Sequence, residues 1–494
     1  MAPLSQRLRA VAATFYRGGT SRGLIFSPAS LARFDAPTRD RIICTASSPD
    51  ADLRQISGLG GGASSLSKCA VVSAPSDDWQ RLARIAGHPF PGVSWAENFE
   101  RASDSKTGWD CVFRFGQVPI NGTTIDWGST CGNLVAAVAD YHLSSAAGAS
   151  QAMKRLGRPA HGSDEAEQPR SMPLRILAHD SGAVVTARMD VYWHADMQRW
   201  APATAGDAAI AGVPGTGAGV VIESPVSDVL PTGRPVDTIN VDGLGSIDVS
   251  VVDTGLPTIF VAASSLALPD ALLLAHPSVL EGDAAQMAKL EAVRCAAAQL
   301  TPELTRRLSP PAPKVCVVAP RAAYSTTGSE ALRAETMDCL LRALSNGQVH
   351  RTVPATTLSA AAAAHAYRDS VVSRVVAQGG SEPCAASRAA TEMASAGEAP
   401  GKVCSLTVGQ PAGLSSASVL LSPTAGPGGE SSPASVLMLR TARRIMHGHV
   451  LVPRSCAPFE DWANFMPPPP AQEGIETDDW RQSSVDGEEI PSFR

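Results

Sequence analysis

No C-x-x-C pair occurs among the ten cysteines, which stand at positions 44, 69, 111, 131, 295, 316, 339, 384, 404 and 456. That scatter argues against a zinc site, and His447-Gly-His449 has no third ligand in sight, so no metal is expected. The chain also lacks G-x-x-x-x-G-K-[ST], which removes the P-loop. A basic excess is missing too. With a formal charge of −6, a general nucleic-acid or anionic-membrane binder is disfavoured. No apolar run reaches membrane-spanning length, since residues 247–275 are broken by Asp253, Pro257 and Asp270. Arg7 and Arg9 precede the first acid, Asp35, faintly as in a transit peptide, but the motif at Tyr16 leaves almost nothing to cleave. A cytoplasmic protein with mostly reduced, partly buried thiols is expected, as monomer or homodimer.

What remains is an ordinary globular composition, 44% hydrophobic and 18% charged, in 494 residues, enough for two or more domains. Its distinctive feature is three loops of small residues. Gly58-Leu-Gly-Gly-Gly-Ala-Ser-Ser-Leu-Ser-Lys68 and Ser129-Thr-Cys-Gly-Asn133 each present one proton-transfer group, Lys68 and Cys131. Tyr16-Arg-Gly-Gly-Thr-Ser-Arg-Gly23 adds two guanidinium groups and two hydroxyls. Residues without Cβ let successive amides turn toward one point, so an oxyanion or carboxylate cradle is predicted. Arginine forks match carboxylates and favour a multiply charged acid as ligand. Cys131 opens an Ala/Val-rich helix, where amide donors and the dipole favour a thiolate. Lys68 begins an apolar run, a poor place for a lysine with only a structural role.

Short β-type runs are predicted at 10–16, 68–72, 111–118, 174–177, 184–189, 247–252, 258–262 and 314–318. Helical periodicity marks 134–143, 284–300, 329–344 and 358–376. Strand, small-residue loop and helix occur twice, at 126–143 and 348–376, which implies two similar lobes with a ligand between two helix N-termini. His350 and Arg351 open the second of these loops. Low-complexity stretches at 144–171, 379–402 and 422–433 read as mobile insertions, and 467–494 as a disordered tail.

Several separate strings resemble the PrpF family of aconitate and methylaconitate isomerases. They are Tyr16 to Gly23, Gly58 to Lys68, Cys131-Gly-Asn133, Val213-Pro-Gly-Thr-Gly-Ala218, Leu230-Pro-Thr-Gly233, Gly255-Leu-Pro-Thr258 and Thr441-Ala-Arg-Arg444. The resemblance covers residues 10–456. It implies an α+β, diaminopimelate-epimerase-like fold: two pseudo-equivalent lobes, each a barrel-like mixed sheet around a central helix, with the active site in the cleft. The first lobe would comprise 1–205 plus 436–456, and the second 206–435. Lys68 and Cys131 match the family's proposed proton-transfer residues. Arg17, Gly19, Thr20, Ser21, Arg22, Gly62, Ala63, Ser64, Ser65, Gly132, Asn133, Thr258, His350 and Arg351 complete the predicted substrate site. Where related epimerases carry a second cysteine this chain reads Thr356-Thr-Leu-Ser359, which argues against a symmetric two-thiol mechanism.

The chemistry follows from the residues. Removing a proton beside a carboxylate and an existing double bond gives a dienolate, whose charge spreads onto the neighbouring carboxylates. Reprotonation then moves or rotates the double bond. Such a reaction needs a base, an acid and fixed donors, and no cofactor. A small tricarboxylate, most simply cis-aconitate going to trans-aconitate, is the expected substrate. 2-Methylaconitate, methylitaconate and oxalomesaconate are the alternatives, and a non-catalytic partner of an aconitase-type enzyme is the reading from another class.

Overall fold

The computed structural model describes residues 8–31, 34–73, 108–128, 131–160, 168–179, 182–309, 312–345, 347–380, 382–395, 402–425 and 431–453. The predicted tail at 467–494 lies outside these residues.

The first lobe holds β1 (Leu8–Gly18), β2 (Ser21–Phe26), β3 (Lys68–Ser73), β4 (Cys111–Gln117), β5 (Arg170–Ala178), β6 (Val184–His194), β7 (Arg199–Pro202) and β8 (Gly219–Pro225). Its helices are α1 (Ala36–Ser47), α2 (Gly132–Ser144) and α3 (Ala146–Leu156). The second lobe carries β9 (Asp237–Val241), β10 (Gly245–Asp253), β11 (Pro257–Ala262), β12 (Lys314–Pro320), β13 (Tyr324–Ser325), β14 (Ala331–Leu332), β15 (Cys339–Ser345), β16 (Gln348–Val349), β17 (Val403–Gln410) and β18 (Gly413–Ala425). With them go α4 (Ala284–Ala298), α5 (Ala355–His365), α6 (Val371–Gly379) and α7 (Ala385–Ser395). The long last strand, β19 (Ser431–Pro453), serves both.

Pairing closes the first lobe into an eight-stranded barrel in the order β1-β2-β3-β4-β5-β6-β8-β19 and back to β1. In the second lobe β9-β10-β11-β12-β15-β17-β18 run in order to the start of β19. The two sheets repeat one scheme: β2 lies parallel to β3, and β11 lies parallel to β12, in matching positions. β8 falls inside the 206–435 range expected for the second lobe, yet it pairs with β6 and β19 and buries Val220 and Ile222 in the first-lobe core. The change of lobe therefore comes after Pro225.

Each sheet encloses a helix that is apolar on every side. Leu134 to Ala139 of α2 and Leu358 to Ala364 of α5 are buried all round. Alanine makes this possible, because a slim helix lets strands approach from all directions and loses no side-chain freedom. A second layer covers each lobe: α1 packs on the outer face of β1 and β2, and α4 on that of β9 to β12. This is the predicted α+β, diaminopimelate-epimerase-like architecture. No helix among the described residues is long and apolar enough to cross a membrane.

Three local expectations are corrected. The predicted helix at 329–344 is instead β14, a short 3-10 turn and β15. Residues 339–344 are buried on both faces between β12 and β17, and a run that is apolar except for Arg342 satisfies a central strand despite its helical residues. The predicted helix at 358–376 is broken, since Ser370 bonds the Ala364 carbonyl at 2.6 Å and caps a new helix at Ser373. The insertions at 144–171 and 379–402 contain α3 and α7, which pack on β7 and on β17 and β18. Of 422–433, residues 426–430 lie outside the described residues, and the rest continues β18 and starts β19.

Candidate active site

Both central helices begin at the cleft, as the repeated loop-and-helix pattern predicts. A Cβ placed on Gly132, the first residue of α2, would stand 3.8 Å from the Cβ of Ala355, the first residue of α5. Cys131 is the residue before α2 and is partly exposed, whereas six of the nine described cysteines are buried. Its thiol approaches the Ser21 hydroxyl at 3.7 Å. Lys68, the first residue of β3, is 9% exposed, and its ammonium donates to Gln117 Oε1 at 2.5 Å. Gln117 is itself fixed, donating from Nε2 to the carbonyls of Ser64, Ser67 and Val118. The ammonium also lies 5.1 Å above the Phe115 ring. Lys68 is thus held by neutral groups only.

The glycine loop does different work from the predicted cradle. Its amides at Gly58, Leu59, Gly60 and Gly62 bond to Gln55 O, Ala46 O, Ser47 O and Gln55 Oε1, and Gly61 faces the Ser67 hydroxyl at 3.4 Å. Gln55, buried and at φ 55°, organises the loop from inside and accepts from Ser67. The loop is a support for Lys68. Beyond it, Ala63 precedes the 3-10 turn of Ser64 and Ser65, next to Lys68 in the chain.

Strand alternation separates the predicted residues of the first motif. Ser21 shares the inner face with Tyr16 and Ile25 toward α2, while Arg17 and Arg22 go with Phe15 and Leu24 to the outer face. Arg17 bonds the Gly19 and Thr441 carbonyls and the Thr441 hydroxyl. Arg22 lies over Phe15 and against Gly61, its Nε buried without a hydrogen-bond partner. These arginines brace loops from the outer face. Gly19 has φ 54°, and a Cβ there would fall 2.4 Å from Asn133 Oδ1. Asn133 donates to the Thr20 hydroxyl at 3.1 Å, so the hairpin tip and the start of α2 are locked together.

Two cations that the sequence reading did not single out complete the site. Arg440 of β19 is 8% exposed; its Nε donates to Asn133 Oδ1 at 2.8 Å and Nη1 to the Leu439 carbonyl. Burial pulls its pKa down to about 10, and the Cys131 sulfur, close enough to act on it, opposes that shift. Lys314, the first residue of β12, is 7% exposed, with its ammonium 3.4 Å from the Thr356 hydroxyl on α5. Burial, and then the charge of Lys68, lower its pKa to about 8. Lys314-Val-Cys-Val-Val repeats the signal of Lys68-Cys-Ala-Val-Val, a lysine opening an apolar strand, which could have found it.

In register beside Lys314 lies Thr258, fully buried with an unpartnered hydroxyl. His350 is driven down to about 4 by burial and by the Lys314 charge, so it is neutral near pH 7. Arg351 is exposed. None of Lys68, Lys314 and Arg440 has an acidic partner among the described residues.

A family model described as PrpF protein matches residues 8–83 and 97–388. The chain belongs to the PrpF family. The match spans both lobes and both helix starts. Among PrpF-like relatives, the 2-methyl-aconitate isomerase of Shewanella oneidensis is 29% identical over 464 residues, covering 90% of this chain and 97% of its own. The 3-methylitaconate isomerase of Eubacterium barkeri is 24% identical, covering 92% and 99%. The crystal structure of a methylitaconate-delta-isomerase aligns over 94% of this chain and 100% of its own with a TM-score of 0.61 at 23% identity, a likeness of fold.

Proposed function

We propose that this PrpF-family protein is an isomerase of unsaturated tricarboxylates, acting on cis-aconitate to give trans-aconitate by removing and returning a proton. The observation that carries this reading is the charge of the cleft. Burying a cation without an acid is costly, and three such charges stand buried here: Lys68 and Lys314 close enough to act on each other, and Arg440 close enough to act on Cys131. A ligand with three carboxylates balances them.

In this reading the Cys131 thiolate takes a proton from the carbon between the double bond and a carboxylate. Arg440 stabilises the thiolate, and Lys68, held by Gln117, supplies the returning acid or the counter-charge for the dienolate. Fixed donors of this kind act where charge develops and require no reorganisation during the reaction. The names of the relatives support the same class of acid and make the methylated acids the second reading.

The test is a panel of initial rates on cis-aconitate, 2-methyl-cis-aconitate, 3-methylitaconate and oxalomesaconate. Fastest turnover of cis-aconitate is expected. A faster methylated acid moves the assignment to that substrate, and no turnover of any of the four contradicts the isomerase.

A further inference from the structure

Lys314 mirrors Lys68 across the pseudo-symmetry of the lobes. Each opens a strand that runs parallel to its predecessor, and each points inward toward the core that holds a central helix; Lys314 meets its helix at the start. The two differ in how they are held. Gln117 accepts a short bond from Lys68, while Lys314 reaches only a 3.4 Å contact with the Thr356 hydroxyl. Thr356 stands in the stretch where related two-thiol enzymes would carry their second cysteine. The second lobe thus offers an amine beside the position of the missing thiol.

We propose that Lys314 is the catalytic acid of the second lobe, returning to the substrate the proton equivalent that Cys131 removes from the first. This rests on the isomerase reading above. Thiolate and ammonium face the substrate at the start. The C–H bond breaks, its proton goes to sulfur, and its electron pair enters the dienolate. An N–H bond of Lys314 then breaks, the proton joins the other end of the dienolate, and the pair left on nitrogen makes a neutral amine. Solvent takes the thiol proton and reprotonates the amine, so atoms and charge balance over a cycle. Lys68 supplies the counter-charge to the dienolate.

The groups facing Lys314 suit the role. Lys68 from the first lobe and neutral His350 from the loop before α5 are its titratable neighbours, and Thr356 of α5 and Thr258 of β11 present hydroxyls. Burial and the Lys68 charge make it a stronger acid than an ordinary lysine, near pH 8.

Proton NMR in deuterium oxide with cis-aconitate, on wild type, Lys314→Met and Lys314→Arg, tests the proposal. Both variants are expected to lose about 100-fold or more of isomerisation, the usual scale of a general acid, while Cys131 still exchanges substrate hydrogen for deuterium at a rate within about 5-fold of wild type. Arginine keeps the charge but cannot release its proton. Isomerisation by Lys314→Arg within threefold of wild type overturns the proposal, as does equal loss of exchange and isomerisation in a Lys314→Met protein whose thermal midpoint is unchanged. Wild-type kcat/KM, which reports the unliganded enzyme, is also expected to fall above pH 8, and a flat kcat/KM profile from 7 to 9 overturns the role without any variant. A wild type that neither exchanges nor isomerises any acid of the panel overturns the isomerase reading and this role with it, whereas an active wild type with an unimpaired Lys314→Arg overturns this role alone.

Discussion

At the scale of single residues, the cleft is defined by what its cations lack. Arg440 is buried beside Cys131 with an amide, a carbonyl and the Met438 sulfur for partners, and no carboxylate. A guanidinium kept in such a place serves its ligand and burdens the free protein. Arg440→Met is therefore expected to raise KM for the acid at least tenfold while leaving the thermal midpoint unchanged or higher. A drop in midpoint of about 4 °C or more, ~2 kcal/mol or more in a chain of this size, would show that Arg440 mainly holds the fold. Lys68 and Cys131 stood out as candidates in the sequence because each chemical group stands where a structural role explains it poorly. Arg17 and Arg22 misled because the motif shows that arginines are present, and only the pairing of β1 with β2 shows that they point outward. Arg440 sits at the end of an apolar run in β19, and nothing in its neighbours along the chain marks it as cleft-facing.

At the scale of elements, the two central helices are built alike and depend on smallness. Ala360 to Ala364 of α5 are all 0% exposed, with strands on every side. Ala361→Leu adds three carbons where no space is left, at a cost of typically ~1–3 kcal/mol. A measurable fall in denaturant midpoint is expected, and an unchanged midpoint would contradict the packing described. The same alanine run explains why α5 was predicted correctly as a helix but too long. Its propensity carries on past His365, and the chain turns only because Ser370 bonds back to Ala364 and caps α6. The failure at 339–345 has the opposite cause: Cys-Leu-Leu-Arg-Ala-Leu-Ser favours a helix locally, and the tertiary slot between β12 and β17 overrides it. Arg342 survives there because it donates to the Leu341 and Gly409 carbonyls and lies over Tyr324.

At the scale of the molecule, both lobes share β19 and meet at the helix starts, so substrate and solvent act on the whole. Burial holds His142, His350 and His365 below the ordinary histidine value. With folded pKa values lowered, the unfolded chain binds more protons, so stability is full above about pH 6.5 and falls as acid is added. For His350, whose value is about 4, the loss between pH 6.5 and 4 reaches roughly 3 kcal/mol at most. Denaturant titrations at pH 7, 6 and 5 are expected to show a falling midpoint, less steep in His350→Asn; equal slopes would remove His350 from the account. The two-lobed plan was readable because the loop-and-helix pattern repeats, while the boundary after Pro225 was hidden, since only strand pairing assigns β8 to the first lobe. The most direct measurement is proton NMR of the wild type with cis-aconitate, run beside Cys131→Ser and Lys68→Ala. Growth of trans-aconitate signals in the wild type, lowered about 100-fold or more in both variants, is the predicted result. Equal isomerisation by all three proteins, or none by the wild type, would contradict the account.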